Sequence, residues 1–272
     1  MTDLPIVGAA LTLPGLKTHL DLILEKNRDL EIQDFISADL LDGDWRPRVD
    51  EIRALLPPYT GRLGIHGPFW GFSIASPDPA IRAVVTRRLL QGLEICEALG
   101  ATQMVIHSPF TTWGAHNAPF FDPGNARAIA LCHETLADPV RRASDIGCEL
   151  VIENIEDRNP GDRVALAASF DTPVVGVSLD TGHAHYAHGA TGAPPVDAHV
   201  LAAGNLLRHV HLQDADGYAD RHWSLGLGTV NFPAIFAALT RLTSQPRLIL
   251  ELRDQNDVPR SIRHLENLGL AQ

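Results

Sequence analysis

Eight short apolar runs, each followed by a polar or Gly/Pro-rich loop and then a helix-length segment, constrain this chain more than any other feature. The runs are Ile6–Leu11, Leu30–Ser37, Arg62–His66, Gln103–His107, Glu149–Asn154, Val174–Asp180, Leu207–Leu212 and Arg247–Leu252. Between and after them, helices are predicted over Leu16–Asn27, Arg48–Leu56, Pro79–Leu99, Asn125–Ile146, Asp162–Ala168, Asp197–Ala203, Phe232–Leu242 and Val258–Leu268. Strict strand–helix alternation puts neighbouring strands parallel, because a parallel pair needs a crossover and a helix supplies it. Eight such units in 272 residues predict a closed (β/α)8 barrel of the α/β class, with residues 1–272 as a single domain. An open doubly wound sheet is the alternative, but no glycine-rich dinucleotide loop follows any strand.

In such a barrel the carboxyl ends of the strands converge on one mouth, so the residue ending each run matters most. Those ends are His66, His107, Glu153, Asp180, His211 and Glu251, with His183 three residues after Asp180 and Asp220-Arg221-His222 in the loop after the seventh run. Each polar residue is flanked by apolar ones that alternation assigns to the helix-facing side. Taken alone, Asp180 could cap the segment behind it and His183 could be a solvated loop residue. Three carboxylates among strand-end imidazoles are different, because they would repel unless cations neutralised them. Mixed carboxylate and imidazole donors suit zinc, manganese, cobalt or iron. A divalent-metal site of one to three ions is therefore expected.

The chain resembles the xylose isomerase-like barrel superfamily, which includes sugar isomerases and epimerases and the endonuclease IV type of DNA-repair enzyme. The resemblance runs from the His66 strand to Glu251. Its most specific pieces are Ser-Leu-Asp-Thr-Gly-His-Ala (178–184), His-Val-His-Leu-Gln-Asp (209–214) and Asp-Arg-His-Trp-Ser-Leu-Gly-Leu-Gly (220–228). It implies a common metal quartet at Glu153, Asp180, His211 and Glu251. In the epimerases the two glutamates of that quartet also move the proton, and His183 and Arg221 match positions that contact substrate. The endonuclease IV pattern implies two further metal positions, one at His66, His107 and Glu153 and one at His183, Asp220 and His222.

Other residues complete the expected site. Trp70, Phe110 and Trp113, with Phe69, follow the third and fourth runs and are placed to roof a substrate; packing on helix ends is the alternative. Arg253, Arg158 and Arg221 are candidate clamps for an anionic group. His209 is expected to be buried and structural, and His185 and His188 to be loop residues. The first reading is a metal-dependent isomerase or epimerase of a small sugar or related polyhydroxy carbonyl compound. The alternative is a metal-dependent phosphoesterase, trinuclear if all three metal positions fill.

Composition bears on partners. The net charge is −11 and the only lysines are Lys17 and Lys26, which disfavours nucleic acid or an anionic membrane. No signal-peptide pattern opens the chain and no apolar run is long enough to span a bilayer. Cys96, Cys132 and Cys148 stand apart without metal-site spacing. Together these features predict a cytoplasmic protein with a carbohydrate-type substrate, and they leave a homo-oligomer open.

Overall fold

The computed structural model describes residues 4–272. Eight parallel strands close in sequence order, the last pairing with the first. They are β1 (Gly8–Leu11), β2 (Leu30–Ile32), β3 (Leu63–His66), β4 (Gln103–His107), β5 (Glu149–Glu153), β6 (Val175–Asp180), β7 (Leu207–Leu212) and β8 (Arg247–Leu250). Among the described residues the helices are α1 (Leu13–Glu25), α2 (Ala38–Asp42), α3 (Arg46–Leu55), α4 (Pro79–Leu99), α5 (Thr112–Phe121), α6 (Ala126–Ile146), α7 (Pro160–Ser169), α8 (Thr181–Thr191), α9 (Val196–Ala203), α10 (Phe232–Leu239) and α11 (Val258–Asn267). The barrel and its eight-fold alternation are as the sequence predicts. No helix among the described residues is long and apolar enough to cross a membrane.

Three local differences have physical causes. The second run is a strand only as far as Ile32, because Asp34 leaves the ladder and its Oδ2 accepts the Leu13 N–H at 2.7 Å, bending the chain into a 3-10 turn. The Pro/aromatic loop after β4 contains α5, started by Thr111 Oγ1 accepting the Gly114 N–H at 2.9 Å. The stretch after Asp180 is α8, capped by Asp180 and stopped at Gly192 with φ 69°. His185 and His188 therefore sit on a helix, not a loop; His185 Nε2 lies 2.8 Å from Thr229 Oγ1 and His188 Nδ1 2.6 Å from Ala193 O.

The apolar faces of the strands, such as Val177, Leu179, Val210 and Leu212, meet those of the helices in one continuous buried core. The three cysteines belong to that buried layer as free thiols. One irregularity sets the site. Val177 pairs with Leu207, but the next residue, Ser178, pairs with His209, so Arg208 is a bulge in β7. An unbroken ladder would set Asp180 beside Val210, which faces outward. The bulge instead sets Asp180 beside His211, both facing in.

Candidate metal centre

The strand register assembles three groups of donor atoms at the mouth, in each of which one donor atom per residue lies within 4.8 Å of the others. His107 and Glu153 are ladder neighbours, and β3 brings His66 alongside. Glu153 Oε2 stands 3.6 Å from both His66 Nε2 and His107 Nε2. That oxygen is buried and has no hydrogen-bond partner. An orphaned carboxylate oxygen midway between two imidazole nitrogens fits a cation: donors about 2.1 Å from a tetrahedral ion stand roughly 3.4 Å apart.

The second group is Glu153, Asp180, His211 and Glu251. His211 Nδ1 lies 2.8 Å from Glu153 Oε1 and 3.3 Å from Glu251 Oε2. The third is His183, Asp220 and His222, with the Asp220 carboxylate 3.3 Å from His183 Nε2 and 3.2 Å from His222 Nε2. His222 holds this position at φ 49°, in the left-handed region that non-glycine residues rarely adopt.

Charge explains why these groups could accept a cation. Burial alone would raise the Glu153 carboxyl, yet His211, His66 and His107 around it hold it well below the usual range. Asp180, sealed from water and repelled by Glu153 and Glu251, is pushed up to about 6. Burial works against the charged forms of His211, His183 and His222, but the carboxylates beside them raise all three, His222 to about 9. His107, less well supplied with carboxylates, is lowered by burial to about 3. The carboxylates thus draw protons onto imidazoles, a demand that divalent ions bound by the same donors also meet.

Every mouth residue of the expected metal set is brought into one of these groups. Several supporting residues escape the sequence reading. Gln213 is fully buried; its Nε2 donates to Asp180 Oδ1 at 3.1 Å and to Asp220 Oδ1 at 3.0 Å, and its Oε1 accepts the His222 N–H at 2.8 Å. Gly182 is required there, because a Cβ would overlap the Gln213 amide. Asn154 exchanges two bonds with the Asp180 backbone, and its carbonyl oxygen lies 2.9 Å from His183 Nδ1, aiming Nε2 at Asp220. Gln33 Nε2 donates to Glu251 Oε1. Glu31, on β2, stands 3.1 Å from His211 Nε2. A signal for Glu31 is present: Leu30 and Ile32 flank it as apolar residues flank the candidate donors at the strand ends.

The expected substrate contacts are less concentrated. Phe69 stacks on His107 with ring centres 4.1 Å apart, and Trp70, 67% exposed, lies against Phe69. Phe110, Trp113 and Arg158 line a separate cleft of about 190 Å³ beside α5, to which no metal-group residue contributes. The Arg221 guanidinium is held by Asp216 Oδ2 at 2.8 Å and lies over the Trp223 ring. Arg253 is exposed on the rim. His209 is buried, as expected.

The model of the family described as xylose isomerase-like TIM barrel matches residues 29–268. An uncharacterized protein of Methanocaldococcus jannaschii is 23% identical over 212 residues, covering 75% of this chain and 68% of its own. Among solved structures, the TTHB071 protein from Thermus thermophilus, soaked with ZnCl2, is 27% identical with a TM-score of 0.73, over 98% of this chain and 99% of that one. A D-tagatose 3-epimerase-like protein has a TM-score of 0.75 at 20% identity, covering 96% of each chain. D-allulose 3-epimerase from Methylomonas sp. has a TM-score of 0.65 at 19% identity, covering 99% of this chain and 92% of that one.

Proposed function

The chain belongs to the xylose isomerase-like TIM barrel family, and from that premise we propose that it is a divalent-metal enzyme that isomerises or epimerises a small polyhydroxylated carbonyl compound. One observation carries the reading. Two carboxylates, Glu153 at the end of β5 and Glu251 just after β8, meet at His211 Nδ1, at 2.8 and 3.3 Å. Such a pair can take a proton from one carbon and return it at the neighbouring carbon or the opposite face. Glu153, Asp180, His211 and Glu251 would hold the cation, which when bound polarises substrate oxygens and lowers the barrier to removing that proton.

The two glutamates are not equivalent. The Glu251 side chain is 12% exposed and steadied by Gln33, whereas that of Glu153 is 1% exposed and ringed by imidazoles. Glu251 is thus the carboxylate a substrate reaches first, and Glu153 the one whose position is most fixed. His183, with Nε2 at the mouth, orients a substrate oxygen. Arg221 stays with Asp216 and shapes the loop. A carbohydrate-type substrate is also what the names of the epimerase neighbours suggest.

The orphaned Glu153 Oε2 and the His183–Asp220–His222 group favour a second reading, a multinuclear phosphoesterase. With a net charge of −11, a small phosphoester suits that reading better than DNA. Incubating the protein with candidate ketoses in heavy water decides between them. Deuterium at the carbon beside the carbonyl is the expected result. Cleavage of phosphoesters or of abasic-site plasmid, with no exchange on any ketose and three tightly held metals, reverses the ranking.

A further inference from the structure

Glu31 is a carboxylate to which the proposed chemistry gives no task. It lies on β2 inside the barrel, buried below the mouth. Its Oε1 and Oε2 stand 3.1 and 3.2 Å from His211 Nε2, the nitrogen on the far side of the ring from Glu153 and Glu251. Oε2 is also 3.1 Å from His209 Nε2, though too bent for a hydrogen bond. His209 Nδ1 in turn lies 2.8 Å from Ser178 Oγ. A row of side chains from β6, β7 and β2 thus ends on the back of one imidazole.

Two physical points give the row a purpose. An ionised carboxylate can only accept hydrogen bonds, so a ring resting on Glu31 would keep its hydrogen on Nε2 once a cation takes the place of the Nδ1 proton, leaving the Nδ1 lone pair for an ion held among Glu153, Asp180 and Glu251. A buried carboxylate is costly, and an apolar side chain of similar volume would fill this layer of the barrel at less cost. Its presence is explained by what it does to His211. We infer that Glu31 is a positioning residue: it fixes the orientation and tautomer of His211 from behind, with His209, itself held by Ser178, packed beside the carboxylate. This rests on the reading of Glu153, Asp180, His211 and Glu251 as metal ligands, and it reaches beyond that reading by assigning a residue outside the quartet.

The test is metal binding, independent of turnover. Metal-free wild type and Glu31→Gln are titrated with Co(II), followed by visible absorption and by thermal unfolding. Glutamine keeps the volume but loses the charge and one acceptor. One class of site should weaken by about 10- to 100-fold with an altered Co(II) spectrum, the size typical when a partner behind a metal-bound histidine is lost. Binding at His183, Asp220 and His222, which Glu31 does not touch, should persist, and the metal-free melting temperature should stay within a few degrees. Superimposable isotherms overturn the inference, and so does loss of all metal together with a collapsed melting temperature. If Glu31→Gln does not fold, nitrogen-15 spectra of the zinc-loaded wild type decide: His211 should show Nδ1 bound and Nε2 protonated, and Nε2 as the bound nitrogen overturns the role. A wild type whose His211 binds no metal sinks the metal reading itself, whereas normal wild-type binding that Glu31→Gln leaves unchanged sinks only this inference.

Discussion

The two ends of the barrel handle charge in opposite ways. At the floor, where strands begin, opposite charges and polar partners are matched within the protein. Arg62 Nε donates to Asp29 Oδ1 at 2.8 Å, Gln103 Nε2 donates to Glu149 Oε2 at 2.9 Å, and Arg247 Nη2 donates to Thr102 Oγ1 at 2.6 Å. At the mouth, among the described residues, every ion pair made by Glu153, Asp180, Glu251 and Asp220 is with an imidazole, whose charge is conditional. The floor is largely paired within the protein, Arg247 Nη1 being a buried exception without a hydrogen-bond partner, whereas the mouth is of the kind that a cation would complete. The difference follows the general division of this fold, stability at one face and chemistry at the other.

The sharpest way to break that contrast is to remove a mouth ligand. Asp180→Ala and His211→Ala should strip bound metal and drop activity below detection, while the circular-dichroism spectrum stays that of the intact barrel. Full metal occupancy in either variant, by elemental analysis, would show that the quartet is misassigned. Replacing one carboxylate by its amide comes next. Glu153→Gln and Glu251→Gln keep an oxygen donor but remove the base, so turnover should fall about 10²–10⁴-fold with most metal retained in Glu251→Gln. Metal-replete variants turning over near the wild-type rate would rule out the proton relay.

The floor should behave differently. Asp29→Asn should lower unfolding stability by about 1 kcal/mol, the small figure reflecting that its partner, Arg62, is half exposed and screened. Urea denaturation gives this value, and kcat and metal content should not change; a fall in either would mean that the two ends are coupled. The smallest effect is expected at the rim. Trp70→Ala should raise KM several-fold, about 1 kcal/mol of lost contact, with stability and metal unchanged. A KM identical to wild type would remove Trp70 from the substrate wall.

The barrel is legible in the sequence because its signal repeats eight times, so errors of a few residues at each strand end do not disturb the pattern. Most of the candidate donors are legible for a related reason: His66, His107, Glu153, Asp180, His211 and Glu251 stand at or beside the end of an apolar run, where a polar side chain has no packing role. Glu31 is easily passed over because it stands near the start of the Leu30–Ser37 run and not at its end, although the flanking Leu30 and Ile32 mark it as inward. Gln213 and Asn154 escape notice because an amide one or two residues beyond a ligand looks like ordinary loop composition. The helix α8 is hidden by its two glycines and three histidines, which weaken helical propensity while the Asp180 cap holds its start. The Arg208 bulge has no sequence signature, because it exists only in the pairing of two strands.

The loop that carries Asp220 and His222 is tied at its base. Asp214 and Trp223 exchange two backbone hydrogen bonds, at 2.9 and 3.0 Å, and the Asp214 carboxylate accepts the N–H groups of Gly226, Gly228 and Val230. A segment anchored so firmly would have little conformational freedom left to surrender if an ion bound there. Capture at that corner should then run at the pace at which the incoming ion sheds its water, and release at the pace at which it regains it. The protein would act there as a socket, already cut to shape, and not as a hand that closes.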